Sequence, residues 1–303
     1  MMDILDAWQW SYDGWIIIVT SLVAVICVIP GSFLLVRREA MLGDAIAHAV
    51  LPGIAIGFFV SGDRGGGWML SGAIIAGLVT AMATQLLKGV AGVDRGAALG
   101  VVYSTLFALG LVLVVRISDS VDLDPACVLY GQVELVPLDL IELGGVKVPR
   151  VVPWLLGVLV AMIVIMGVLW KEFLVTSFDS AVAESQGIPA AMVNQILMIL
   201  VAAACVVAFE AVGSILVVSL LITPAAIARL GTDRFGHILV ASAFVGVFFS
   251  ALGHIAAIGA LGLFFGHSVA VSTAGMTAVL LAVALGVAAA IAAALSRTSI
   301  IRR

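Results

Sequence analysis

Asp44 and His48 lie four residues apart in a run that otherwise carries almost no charge, and Pro52 follows one turn later. Residues at this spacing share one face of a helix, so a carboxylate and an imidazole point the same way. Together they offer one oxygen and one nitrogen donor, a pair that suits Mn(II), Zn(II) or Fe(II) better than soft Cu(I). A proline inside a helix cannot donate to the carbonyl four residues back, and its ring clashes with that carbonyl. For Pro52 the carbonyl belongs to His48, so the helix is expected to bend there and free a backbone oxygen. At membrane depth such a break is tolerated only where it is buried or faces water. The same residues can also be read as a capping Asp44 at the interface and a His48 that bonds a neighbouring helix.

Glu210 is the second candidate acid, set in VVAFEAVGSILVV without another charge. It reads either as a cavity-facing carboxylate or as a turn residue at the outer surface. Pro224, in SLLITPAAIARL, frees the carbonyl of Leu220 by the chemistry just given for Pro52. Two proline-interrupted segments, each near an embedded acid, have the pattern of broken helices that line transport pathways. Simple packing kinks are the alternative. A charge at mid-bilayer costs at least about 2.5 kcal/mol, so such groups face a cavity or a partner, where they can bind a cation or relay protons.

The elements that must position these groups are membrane helices. The chain has 303 residues, 63% of them hydrophobic and 11% charged, with a mean hydropathy of +1.28. Soluble domains carry about 25% charged residues, and no soluble fold of this length buries so much apolar surface. A span needs about 20 apolar residues. That rule places crossings near 15–36, 45–61, 68–87, 96–115, 151–170, 191–209, 211–229, 236–257 and 271–295. The expected fold is an all-α polytopic bundle of about 8–9 crossings with broken helices, forming a single transmembrane domain over residues 1–303.

The sixth and seventh crossings are expected to turn over near Glu210. Residues 117–150, rich in Asp and Glu and holding Pro125 and Pro137, read as a long extracytoplasmic or partly re-entrant loop. By these spans Asp44 and Glu210 alone, of 18 acids, fall inside or at the edge of a crossing. His254 and His267 read as interfacial or packed histidines, and His237 as a cytoplasmic loop residue. Small residues spaced four apart, such as Gly53 and Gly57, are expected to let helices pack closely.

An outside N-terminus and a cytoplasmic C-terminus leave only Arg64, Arg116, Lys147 and Arg150, of 14 Lys and Arg residues, on the outer side. That bias obeys the positive-inside rule. Residues 1–14 carry Asp3, Asp6 and Asp13 and no basic residue, so no cleavable signal peptide is expected. Cys27, Cys127 and Cys205 are too widely spaced for a thiolate metal cluster or a disulfide framework. No lysine sits in a GxxxxGK[ST] loop, so the chain has no ATP site of that kind. HExxH and GxGD are absent, which argues against intramembrane proteolysis, and no basic cluster suggests nucleic acid.

RREAMLGDAIAHAVLPGIAIGFF, VGSILVVSLLITPAAIARL, SFDSAVAESQGIPAAMVNQILMILVA and the loop phrase DPACVLYGQVE resemble the permease subunits of bacterial ATP-binding-cassette importers for manganese, zinc and iron. The resemblance runs from about Ile16 to Ala294; GHSVAVSTAGMTAVLL departs from it, with Ser272 and Thr273 where the family has a proline run. It implies the fold of type II importer permeases and a transported Mn, Zn or Fe ion, with no cofactor bound permanently. Asp44 and His48 would be the metal ligands, joined by Glu210 from a later helix. Residues 178–190 would be the cytoplasmic coupling segment. Asp179 suits the N-cap of a short helix there, the small Ala181 and Ala183 would allow close approach, and Gly187 with Pro189 would end it.

The partners implied are two copies of a cytoplasmic ATP-binding subunit, an extracytoplasmic metal-binding protein and a second permease chain, identical or paralogous, all in or on a lipid bilayer. Two other readings remain open on the residues. A permease for chelated iron or a vitamin would have no reason to align Asp, His and Glu. A proton-coupled secondary transporter would need no ATPase-docking segment.

Overall fold

The computed structural model describes residues 8–61, 67–93, 95–118, 133–143, 145–265 and 271–301. With no water in a bilayer core, apolar segments pair their backbone internally, and they do so here as helices. In chain order these are α1 (Trp10–Val36), α2 (Ala40–Ala49), α3 (Leu51–Ser61), α4 (Gly67–Ala91), α5 (Arg95–Ser118), α6 (Val151–Val168), α7 (Trp170–Phe178), α8 (Ser180–Ser185), α9 (Ala190–Val212), α10 (Ser214–Gly231), α11 (Phe235–Phe265) and α12 (Thr273–Ile301). Among the described residues seven helices are long and apolar enough to cross a membrane. The apolar runs Leu51–Ser61 and Ser71–Leu87 are shorter.

The chain divides into two compact units. The first holds Met1–Ser32, Tyr130–Leu156 and Ala211–Arg303. Within it α10, α11 and α12 pack on one another. A methyl on Gly31 of α1 would overlap the carbonyl of Leu221 in α10, and one on Gly253 of α11 would overlap Thr277 of α12. The second unit holds Phe33–Leu129 and Gly157–Glu210. Here α2, α3, α4 and α5 pack together, and Gly53 of α3 and Gly72 of α4 meet backbone to backbone. Gly110 of α5 lies against Pro52, whose Cδ is 2.8 Å from where a methyl on Gly110 would stand.

The close approach at Gly53 carries a prediction. Its methyl would meet backbone, which cannot rotate away, whereas one on Gly100 meets nothing within 4 Å. Gly53→Ala should lower unfolding stability in detergent by about 1–3 kcal/mol. Gly100→Ala should be neutral or slightly stabilising, because alanine is the better helix former. Equal thermal shifts in the two variants would contradict the packing.

Three details differ from the sequence reading. The segment 45–61 is two helices separated at Val50, not one bent helix. Leu51 and Pro52 open α3, where a missing N–H is not needed; the proline begins a new helix instead of distorting an old one. Around Pro224 the reverse holds: α10 runs through it without interruption. The turn between α9 and α10 falls at Gly213, three residues beyond Glu210, where φ 79 and ψ 169 demand glycine.

The outer loop also holds structure. Residues 119–132, which include most of DPACVLYGQVE, lie outside the described residues, as does His267. Beyond them come a 3-10 helix at Val133–Leu138 and an antiparallel hairpin, β1 (Leu140–Leu143) and β2 (Val146–Pro149). Its register pairs Ile141 with Val148 and Glu142 with Lys147, and Gly145 turns it with φ 87.

Candidate functional site

Helix α2 carries Asp44 and His48 one turn apart. The side chain of Asp44 lies outside the described ones. His48 is half-buried, its ring edge-on to Phe107 at 5.4 Å between centroids and 6.3 Å from Tyr103. Both aromatics belong to α5 and restrict where the imidazole can turn. α2 ends one residue after His48, at Ala49.

Helix α9 runs next to α2. Arg37, three residues before α2, donates from Nη1 to Asn194 Oδ1 at 2.7 Å. Further along, Cys205 Sγ lies 4.0 Å from the carbonyl oxygen of Gly43. The two contacts tie the segment from Arg37 to Gly43 to α9. From the second contact, five more residues lead to His48 on one helix and to Glu210 on the other. Glu210 is exposed, two residues from the end of α9. Among the described residues no three His, Cys, Asp or Glu side chains form a metal-holding group, a search that does not include Asp44.

Between α7 and α9 the chain makes the short helix α8. Asp179 accepts from the backbone N–H groups of Ala181 at 2.9 Å and Val182 at 3.1 Å. Its own N–H closes α7 by donating to Val175. Gly187, with φ 79, follows the helix. Ala183 differs from the expected outward contact: it is fully buried in the chain's own packing, with Ile188 N–H donating to its carbonyl. The exposed apolar side chains here are Phe178 and Val182.

A polar cluster in the first unit was missed by the span boundaries. Asp13 lies inside α1 and is buried, so a further acid sits within a membrane helix. Its Oδ1 is 3.2 Å from His254 Nε2 on α11. His254 Nδ1 is 3.0 Å from Thr273 Oγ1 at the start of α12. Each ring nitrogen of His254 thus faces one oxygen, and the tautomer sets which of them donates. Thr273 N–H donates to Glu134 Oε1 at 2.6 Å, and the Tyr12 hydroxyl donates to the Glu134 carbonyl. The cluster therefore joins α1, α11, α12 and the 3-10 helix. The available signal was Asp13 itself: an acid in a first turn that accepts from the Gln9 N–H at 2.6 Å is a helix-start device. His254 is thus a packed histidine, while His237 is an exposed residue of the first turn of α11.

Comparison with known proteins identifies the family of the chain. The model of the ABC 3 transport family matches residues 11–292. The chain is 40% identical over 245 residues to the manganese transport system membrane protein MntD of Bacillus subtilis, covering 80% of this chain and 83% of that one. It is 34% identical to the zinc transport system membrane protein TroD of Treponema pallidum, over 69% of this chain and 57% of the other. Among solved structures it resembles PsaBC from Streptococcus pneumoniae in complex with Fab, with a TM-score of 0.73, 28% identity, and coverage of 91% of this chain and 90% of that one.

Proposed function

Because the chain belongs to the ABC 3 transport family, as a multi-pass membrane permease subunit that leaves ATP hydrolysis to a separate subunit, we propose that it forms the translocation pathway of an importer for Mn(II) or Zn(II). The single observation that carries the metal is the Asp44–His48 face of α2, a helix that ends at Ala49 and meets the helix of Glu210 where Gly43 lies against Cys205. The names of the relatives support the same two metals. Two carboxylates and a neutral imidazole offset a dication's charge and replace part of its hydration shell. The site must also let the ion go, so it binds transiently.

Metal reaches the pathway from an extracytoplasmic binding protein. Two permease chains, identical or paralogous, stand over two ATPase subunits. The N-terminus faces outward, as the basic residues require. Reconstitution with ATPase and binding protein tests the reading: radioactive Mn(II) or Zn(II) should accumulate in vesicles only with ATP. Uptake driven by a proton gradient without the ATPase would sink it. Orientation has its own check. Thiol labelling in intact cells should reach a cysteine placed at Asp122 and miss one at Glu184; the reverse pattern would invert the topology.

The coupling segment centres on α8, and its contact with the ATPase is made by Phe178 and Val182 and not by the buried Ala183. Val182→Asp should cut co-purification of the ATPase by about tenfold or more, as loss of an interface anchor does. Full recovery of the ATPase with this variant would move the docking surface elsewhere.

A further inference from the structure

The guanidinium of Arg37 makes contacts that the proposed pathway does not use. Its Nε donates to Ser177 Oγ at 2.9 Å, Nη2 to Thr176 Oγ1 at 3.1 Å and Nη1 to Asn194 Oδ1 at 2.7 Å. Thr176 and Ser177 end α7, and Asn194 lies in the second turn of α9. One side chain therefore bridges the entry to α8 and the exit from it. The acceptors are fixed in that role. Thr176 and Ser177 each donate their hydroxyl hydrogen one turn back, to Glu172 O and Phe173 O, both at 2.6 Å. Their lone pairs are left for the arginine.

The backbone on the other side of Arg37 is equally constrained. Arg38 has φ 59, the left-handed conformation that helix ends reserve for glycine. Arg38 N–H donates to Leu35 O at 3.1 Å and Glu39 N–H to Leu34 O at 2.8 Å, the paired closure of a Schellman motif. Helix α2 begins at the next residue. A non-glycine residue held in this region marks a place where surrounding structure over-determines the chain. Nearby, Phe33 is buried against Trp170 and Phe173 of α7, with centroids 6.0 and 5.6 Å away. The end of α1 is thus fastened to α7 by an aromatic contact and a polar one, and α2 leaves it through a three-residue turn closed by two backbone hydrogen bonds.

We propose that Arg37 is a positioning residue that ties the ATPase-docked segment to the helix bearing Asp44 and His48, so that displacement of α8 moves the metal ligands. This rests on the function proposed above. A packing role alone would be served by any long side chain, but the three-way fork is particular to arginine: lysine brings a point charge that cannot span three acceptors.

The test uses the whole complex of permease, ATPase and binding protein in vesicles, with ATP hydrolysis and Mn(II) or Zn(II) uptake measured on one preparation. In Arg37→Gln the complex should assemble and hydrolyse ATP, while metal moved per ATP falls by about tenfold, within the usual range of coupling energies. Arg37→Lys should recover less than half of that loss. Should Arg37→Gln fail to assemble, Thr176→Val with Asn194→Leu removes two acceptors and leaves the arginine; the same fall in the ratio is expected. An unchanged ratio in either variant, or full rescue by lysine, overturns the proposal. If the wild-type complex moves metal with ATP and the ratio is unchanged, this inference alone falls. If the wild-type complex moves no metal, the functional reading falls and takes the inference with it.

Discussion

His48→Ala and Asp44→Ala should each reduce ATP-dependent metal uptake by about a hundredfold or more, a loss at least as large as those seen when groups supporting a metal ligand are removed. Membrane insertion and assembly with the ATPase should stay close to wild type. The expectation follows from the local structure. α2 presents the two residues one turn apart, and Phe107 and Tyr103 hold the imidazole between them. The helix stops one residue after His48. Removing either side chain leaves a dication one donor short of the set that replaces its hydration shell. Asp44→Asn separates charge from shape, since it keeps a carbonyl oxygen and loses the anion. It should behave nearly as badly as Asp44→Ala. Normal transport by Asp44→Asn would make Asp44 a cap or a hydrogen-bond partner and shift the search to Glu210.

The second large effect concerns stability. Asp13 and His254 are buried and face one another across 3.2 Å. Truncating one leaves the other buried without its partner, which costs about 1–3 kcal/mol for a polar group and more for a charged one. Asp13→Ala and His254→Ala should therefore each lower the unfolding midpoint in detergent by a clear margin. The double variant should be little worse than either single one, because residues in direct contact show coupling of about 0.5–3 kcal/mol. Uptake per assembled complex should change little, since neither residue is among the candidate ligands. Strict additivity of the two single effects would show that the contact contributes nothing.

Much of this was legible in the sequence. Among the described residues seven of the nine apolar runs read as crossings hold a helix long and apolar enough to span, because the bilayer forces internal pairing wherever hydrophobicity persists, whereas 45–61 is split at Val50 and the apolar run within 68–87 is shorter. The i, i+4 spacing of Asp44 and His48 survives because α2 is helical over both. Other features depend on neighbours that hydropathy does not see. A span that begins at Trp15 leaves Asp13 outside the membrane; its acceptability in α1 comes from His254, 241 positions away. Pro52 starts a helix and Pro224 is carried inside one, although both have the same intrinsic defect. Ala183 suits an interface by size alone, yet faces inward. The hairpin had a visible signal, the alternating LIEL and VKVP about Gly144 and Gly145, hidden by the expectation of a plain loop.

The most direct measurement is the nitrogen modulation in pulsed electron spin resonance of Mn(II) bound to the nucleotide-free complex. The permease has four histidines, at positions 48, 237, 254 and 267, so each can be removed in turn. Imidazole coupling to the bound Mn(II) should disappear in His48→Ala and persist when any of the other three is replaced. Coupling that survives in His48→Ala and is lost with another histidine would place the metal elsewhere and contradict the assignment of α2 as its binding helix.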